Sequence, residues 1–249
     1  MDKITIMQNQ TCNLSEQIDY QQSKVIELDP EMLRRNRLTA FFDDSPISRQ
    51  YKILRTQVLH KTKQNGLNTI LITSPNENEG KSLTAANLAI SLAMEVEHTV
   101  LLVDADLRRP TLHKLFGFEP ANGLSDGLLA GKPLPDILVN PGINKLTILP
   151  GRNNFSNSAE IIGSPAMKQL IKEMKHRYSN RYIIFDAPPA IDCPDTLILS
   201  QHVDGVILVT EYNKTTQDQI EKALILLKNA NILGTVLNKT GTGKKTGYY

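Results

Sequence analysis

Cysteine is scarce in this sequence. Cys12 and Cys193 lie far apart, and neither has a second Cys or a His at metal-ligand spacing. That excludes a disulfide scaffold and a zinc-ribbon type of site, and leaves two free thiols in a reducing compartment as the expectation. No run approaches the ~18 apolar residues that a membrane-crossing helix needs. The start, Met1-Asp2-Lys3-Ile4-Thr5, lacks the charged segment followed by an apolar block of a signal peptide, so a cytoplasmic location is expected. Charge is nearly balanced, at +2 over 249 residues, and calls for neither nucleic acid nor an acidic membrane. Internal repeats and low-complexity tracts are absent. A 40% hydrophobic and 22% charged composition is that of a globular chain long enough for one α/β domain.

What the sequence does have is alternation. Residues 1–45 are polar and poorly periodic, and predict a flexible arm with one short helix near Pro30 to Arg37. From Ser45 to about Lys63, apolar residues at Ile47, Tyr51, Leu54 and Val58 predict an amphipathic helix, with Pro46 in its first turn. Short β-rich runs follow at 69–73, 100–103, 146–149, 182–185, 206–209 and 234–237. Most are continuously apolar, as strands buried on both faces are. Helical patterns at 83–94, 165–178 and 216–230 lie between them. This order predicts an α/β domain over 46–240, with a mostly parallel sheet and helices on both faces. The tail, 241–249, is Gly-rich and is expected to be mobile; it ends in Tyr248 and Tyr249.

Ser74-Pro75-Asn76-Glu77-Asn78-Glu79-Gly80-Lys81-Ser82 joins a predicted strand to a predicted helix. That is the context of a phosphate loop. Its backbone N–H groups and the helix start attract an anion, so Asn76, Glu77, Asn78, Glu79, Gly80, Lys81, Ser82 and Leu83 are the candidate nucleotide contacts. Lys81 would reach the β and γ phosphates and the Ser82 hydroxyl would hold magnesium. Pro75 stands where the usual pattern has its first Gly, and Asn78 where many loops have another; Asn tolerates positive φ. The side chains of Glu77 and Glu79 are expected to point away from the anion.

Asp104 and Asp106 follow the second predicted strand, and Asp186 ends the fourth. Parallel strand ends converge on one edge of a sheet, where ligands bind. The three carboxylates can therefore face Lys81 and Ser82, and their hard oxygens suit magnesium better than zinc. Asp104 is the first choice for the group that takes or orients the acceptor's proton, and Asp106 the second. His113 is expected to pack or cap a helix; Arg108 and Arg109 either contact phosphate or flank a solvated helix start. Asn238 is a candidate for the adenine edge.

Asp104-Ala105-Asp106-Leu107-Arg108-Arg109-Pro110, with His113 and Phe116-Gly117 after it, resembles the second nucleotide motif of the bacterial tyrosine kinases. The phosphate loop with Thr84-Ala85-Ala86-Asn87-Leu88-Ala89 is similar to their first motif, and Ile183-Ile184-Phe185-Asp186-Ala187-Pro188-Pro189 to their third. Ser125-Asp126, Leu149-Pro150-Gly151 and Val236-Leu237-Asn238-Lys239 fit as well, so the resemblance covers roughly Ser45 to Lys239. It implies a P-loop NTPase architecture related to partition ATPases, with ATP and Mg2+ as cofactors. It implies autophosphorylation of tyrosines near the C-terminus, here Tyr248 and Tyr249, in the service of capsule or exopolysaccharide synthesis or export. By position, Lys81, Asp104, Asp106 and Asp186 become the catalytic residues, and Ser82, Asp104, Asp106 and Asp186 the metal ligands. The implied partners are a transmembrane polysaccharide co-polymerase acting in trans at the inner face of the membrane, further copies of the chain, and a cognate tyrosine phosphatase. The family's ring-forming helix carries Glu, Arg and Arg where Arg49, Lys52 and Arg55 stand here.

Two other readings are open. A partition-type ATPase shares the architecture, but typically has a second lysine at the place of Asn76. A degenerate nucleotide-binding module that regulates a glycan assembly complex is the other.

Overall fold

The computed structural model describes residues 24–26, 28–42, 45–177 and 180–241. In chain order they form β1 (Lys24–Val25), α1 (Pro30–Arg35), α2 (Pro46–Thr62), β2 (Thr69–Thr73), α3 (Lys81–Ala93), β3 (Thr99–Asp104), α4 (Leu112–Phe116), α5 (Leu124–Ala130), α6 (Leu134–Ile137), β4 (Val139–Asn140), β5 (Leu146–Leu149), α7 (Ser158–Ile162), α8 (Pro165–Arg177), β6 (Arg181–Asp186), α9 (Pro194–Ser200), β7 (Gly205–Glu211), α10 (Gln217–Leu226) and β8 (Ile232–Asn238). One sheet contains all eight described strands in the order β1-β4-β5-β3-β6-β2-β7-β8. Its ladders are parallel except β4 with β5.

Continuous apolar strands need cover on both faces, and the side chains divide accordingly. Ile70, Ile72, Val100, Leu102 and Ile184 pack with Leu88 and Leu92 of α3 on one face. Leu71, Leu101, Val103, Ile183 and Phe185 pack with Met167 and Ile171 of α8 and Leu199 of α9 on the other. Strand alternation with a period of two thus builds two apolar layers from one run of residues.

The expected flexible arm over 1–45 needs correction. Leu33, Leu38 and Ala40 are buried in the first of these layers. Asn87 of α3 holds the segment: its Oδ1 accepts from Ala40 N at 2.9 Å, and its Nδ2 donates to the Arg37 and Leu83 carbonyls, both at 3.0 Å. Asn36 Nδ2 donates to the Lys114 and Leu115 carbonyls. The apolar residues of 30–42 are too few and too unevenly spaced to show a period, so the sequence reads as polar although three of them dock. Residues 1–23, like the Tyr248 and Tyr249 tail from 242 onward, lie outside the described residues.

Candidate nucleotide and metal site

β2, β3 and β6 are neighbours in the sheet and end together, so the loop 74–80 and all three aspartates meet at one edge. Asp104 and Asp186 are directly opposed in the β3–β6 ladder. α3 begins at Lys81, leaving the N–H groups of Lys81, Ser82 and Leu83 without partners inside the helix. Lys81 Nζ lies 2.9 Å from Asp106 Oδ2, 3.4 Å from Ser82 Oγ and 3.8 Å from Asp186 Oδ1.

The electrostatics follow from this crowding. Burial alone would lower the Lys81 pKa; Asp186 first, then Asp106 and Asp104, outweigh it and raise it. Burial raises the Asp186 carboxyl to about 6 against the pull of Lys81 and Ser82. Asp104 is raised by burial and by Asp186, although the N–H of Leu112 opposes the shift. Asp104 Oδ2 accepts from Thr111 N and Leu112 N at 2.9 and 3.0 Å. Asp104 Oδ1 and both Asp186 oxygens have no hydrogen-bond partner among the described residues. Buried carboxylate oxygens without a hydrogen-bond partner, beside a Ser hydroxyl, are the donor set of a hard divalent cation, so the residues fit magnesium.

The loop is shaped by a side chain that the sequence misplaces. Glu77 is exposed, as expected, and pairs with Arg109 at 2.6 Å. Glu79 is 1% exposed and turns inward. Its carboxylate accepts from Asn76 N at 2.9 Å, Asn76 Nδ2 at 3.0 Å and Thr215 Oγ1 at 2.5 Å. Three donors satisfy the buried charge, and one of them is the Asn76 N–H, which was expected among the anion contacts and is here taken by Glu79. A single orientation inside a nine-residue loop has no periodic signal, so nothing in the sequence distinguished Glu79 from Glu77. Asn78 has φ 63° and Gly80 φ 98°, and the Asn238 amide lies 2.0 Å from where a Gly80 Cβ would stand. Only Gly fits there.

Asn238, the candidate for the adenine edge, is held against the loop. Its Nδ2 donates to the Glu79 carbonyl at 2.8 Å and its Oδ1 accepts from Lys239 N, so its amide braces the loop. Lys239 Nζ reaches the Asn78 carbonyl at 2.7 Å and Glu211 at 3.0 Å. His113 is buried, as expected, and burial lowers its pKa. Arg109 donates its N–H to Asp106 Oδ1 at 3.0 Å. Arg108 is more than a solvated helix start: its Nε bonds Ser158 Oγ at 3.0 Å and faces Asp195 Oδ2 at 3.4 Å. Thr215, Ser158 and Asp195 were not singled out in the sequence, because each is reached only through the fold. On α2, Arg49 is exposed, and Arg55 Nη1 donates to the Ser91 carbonyl of α3 at 2.9 Å.

The family model described as ParA, NUBPL iron-transfer P-loop NTPase, matches residues 66–245. Tyrosine-protein kinase YwqD of Bacillus subtilis is 34% identical over 221 residues, which are 87% of this chain and 92% of that protein. The crystal structure of the chimerical protein CapA2B2 superposes with a TM-score of 0.76 at 28% identity, covering 88% of this chain and 94% of that one. The septum site-determining protein MinD from Pyrococcus horikoshii, solved with Mg-ADP, gives a TM-score of 0.60 at 26% identity, covering 71% and 72%. With its strand ends, phosphate loop and three carboxylates arranged as described, the chain belongs to the ParA-type P-loop NTPases and, among them, to the bacterial tyrosine-protein kinases.

Proposed function

We propose that the chain is an ATP-dependent tyrosine autokinase that regulates the synthesis or export of a capsular or extracellular polysaccharide. The observation that carries this reading is Lys81, at the start of α3, 2.9 Å from Asp106 and 3.8 Å from Asp186. The triphosphate lies along the N–H groups of 80–83, and Lys81 neutralises charge on the transferred phosphoryl group. Magnesium, held by Ser82, Asp104, Asp106 and Asp186, supplies further charge neutralisation when bound. Asp104 takes or orients the proton of the acceptor hydroxyl. It keeps one oxygen free, whereas both oxygens of Asp106 are engaged, by Lys81 and by Arg109 N. Tyr248 and Tyr249 are the proposed acceptors.

No helix of the described residues is long and apolar enough to cross a membrane. In this reading the chain works in the cytoplasm and is recruited to the inner face by a transmembrane polysaccharide co-polymerase. Purified protein incubated with Mg–ATP and probed for phosphotyrosine tests the activity. Wild type labels, while Lys81→Met and the Tyr248→Phe, Tyr249→Phe double variant do not. Phosphate release with no labelled protein would instead favour a partition-type ATPase.

A further inference from the structure

Outside the phosphate loop, one buried acid has a single ion-pair partner among the described residues and no role in the chemistry of the site. Asp195, in the first turn of α9, is 1% exposed, and neither of its oxygens has a hydrogen-bond partner among the described residues. Its charge is met by Arg108 Nε at 3.4 Å, and the same Nε bonds Ser158 Oγ at the start of α7. Arg108 is two residues beyond Asp106. Leu107, between them, is fully buried, and its carbonyl accepts from Phe155 N at 2.8 Å. The segment carrying Asp106 is thus pinned from outside, by α7 and α9, while Asp106 itself faces Lys81 on the inside.

We infer that Arg108 and Asp195 are positioning residues: their ion pair fixes the Asp106 segment so that its carboxylate is already aimed at Lys81 and the metal position before nucleotide arrives. This rests on the nucleotide reading above and adds the outer support of that site. A carboxylate shut away from water needs a cation, so the pair is held together by the cost of breaking it. Because Arg108 is partly exposed and Asp195 is not, the two ends are unequal. Removing Arg108 strands a buried charge; removing the Asp195 charge leaves an arginine that can turn to solvent. Outer-shell partners of this kind typically change metal affinity 10–100-fold.

The test uses Arg108→Ala, Asp195→Asn and the double variant, each melted without nucleotide and each titrated with Mg2+ while ATP binding is followed by calorimetry. Arg108→Ala is expected to lower the thermal midpoint by about 5 °C, and Asp195→Asn by about 2 °C or less; adding Asp195→Asn to Arg108→Ala recovers most of the loss. All three variants, the restabilised double variant included, should need about tenfold more Mg2+ for half-saturation. A residue that only stabilises the fold would move the midpoint and leave the Mg2+ requirement alone. Wild-type Mg2+ dependence in the three variants overturns the inference while leaving the kinase reading intact. Failure of wild type itself to bind ATP with Mg2+ overturns both.

Discussion

Asp186 shows how far the site is built against the stability of the empty protein. Its folded pKa, about 6, stands above the ~3.9 of an ordinary aspartate, so the fold binds a proton here more tightly than the unfolded chain does. The contribution of such a group is fully present below the ordinary range and is lost as pH rises through 6. At neutral pH the nucleotide-free protein therefore carries a buried charge that Lys81, shared with Asp106 and Asp104, only partly compensates. Asp186→Asn is expected to melt about 3 °C higher than wild type at pH 7 in the absence of nucleotide, and to flatten the fall in thermal midpoint between about pH 4 and 6. The same variant should lose phosphotyrosine labelling, because the uncharged amide is a poor magnesium ligand. Midpoints measured across that pH range decide the matter; an Asn variant that melts lower at pH 7 and keeps the wild-type slope would contradict it.

The opposite sign governs the far end of the sheet, where Asp204 ties three elements together. It accepts from Asn68 N and Thr69 N at the start of β2, from Thr69 Oγ1, and from Lys175 Nζ in the last turn of α8, and it immediately precedes β7. Burial would raise its pKa, but the bonds from Lys175, Thr69 and Asn68 lower it. A depressed carboxyl stabilises above the ordinary range and stops doing so as pH falls through its folded value. Asp204→Ala should cost about 2 kcal/mol at pH 7 by denaturant unfolding, and the difference from wild type should shrink as pH drops from 5 toward 3. A gap that does not narrow would mean packing, not charge, is what Asp204 supplies. Elements such as these were legible in proportion to their length and regularity. The runs at 69–73 and 146–149 coincide with β2 and β5 residue for residue, because a strand buried on both faces has few ways to be written. α8 and α10 showed through their apolar spacing. The short helices α4, α5, α6, α7 and α9, of four to seven residues, span too few turns to display a period, and β1 and β4 are two residues each. The aspartates were placed correctly at their strand ends because strand direction fixes that edge. Glu79 and the Arg108–Asp195 pair were not, because a side chain's direction within a loop depends on what the fold brings beside it.

The molecule as a whole is closed by the segment that its composition made look dispensable. Residues 30–42 run over α3, the helix whose start carries Lys81, and Asn87 in the middle of that helix is the joint. Its amide makes three hydrogen bonds, two to backbone groups of the arm and one to Leu83 of its own helix, and it is fully buried. Asn87→Ala leaves Ala40 N and the Arg37 carbonyl without their partner, at a cost of about 3 kcal/mol. That loss should be unevenly distributed. Hydrogen exchange is expected to quicken across 33–42 well before it quickens in β3 or β6, since residues 30–42 form no strand and the central strands keep their ladders. If the arm is a brace on α3, ATP binding should weaken in Asn87→Ala as well, with the Mg2+ requirement unchanged, because Asn87 makes its hydrogen bonds to the arm and to Leu83 and none to the segments that carry the three aspartates. Uniform quickening throughout the sheet would show instead that Asn87 supports the core as a whole and that the arm follows it passively.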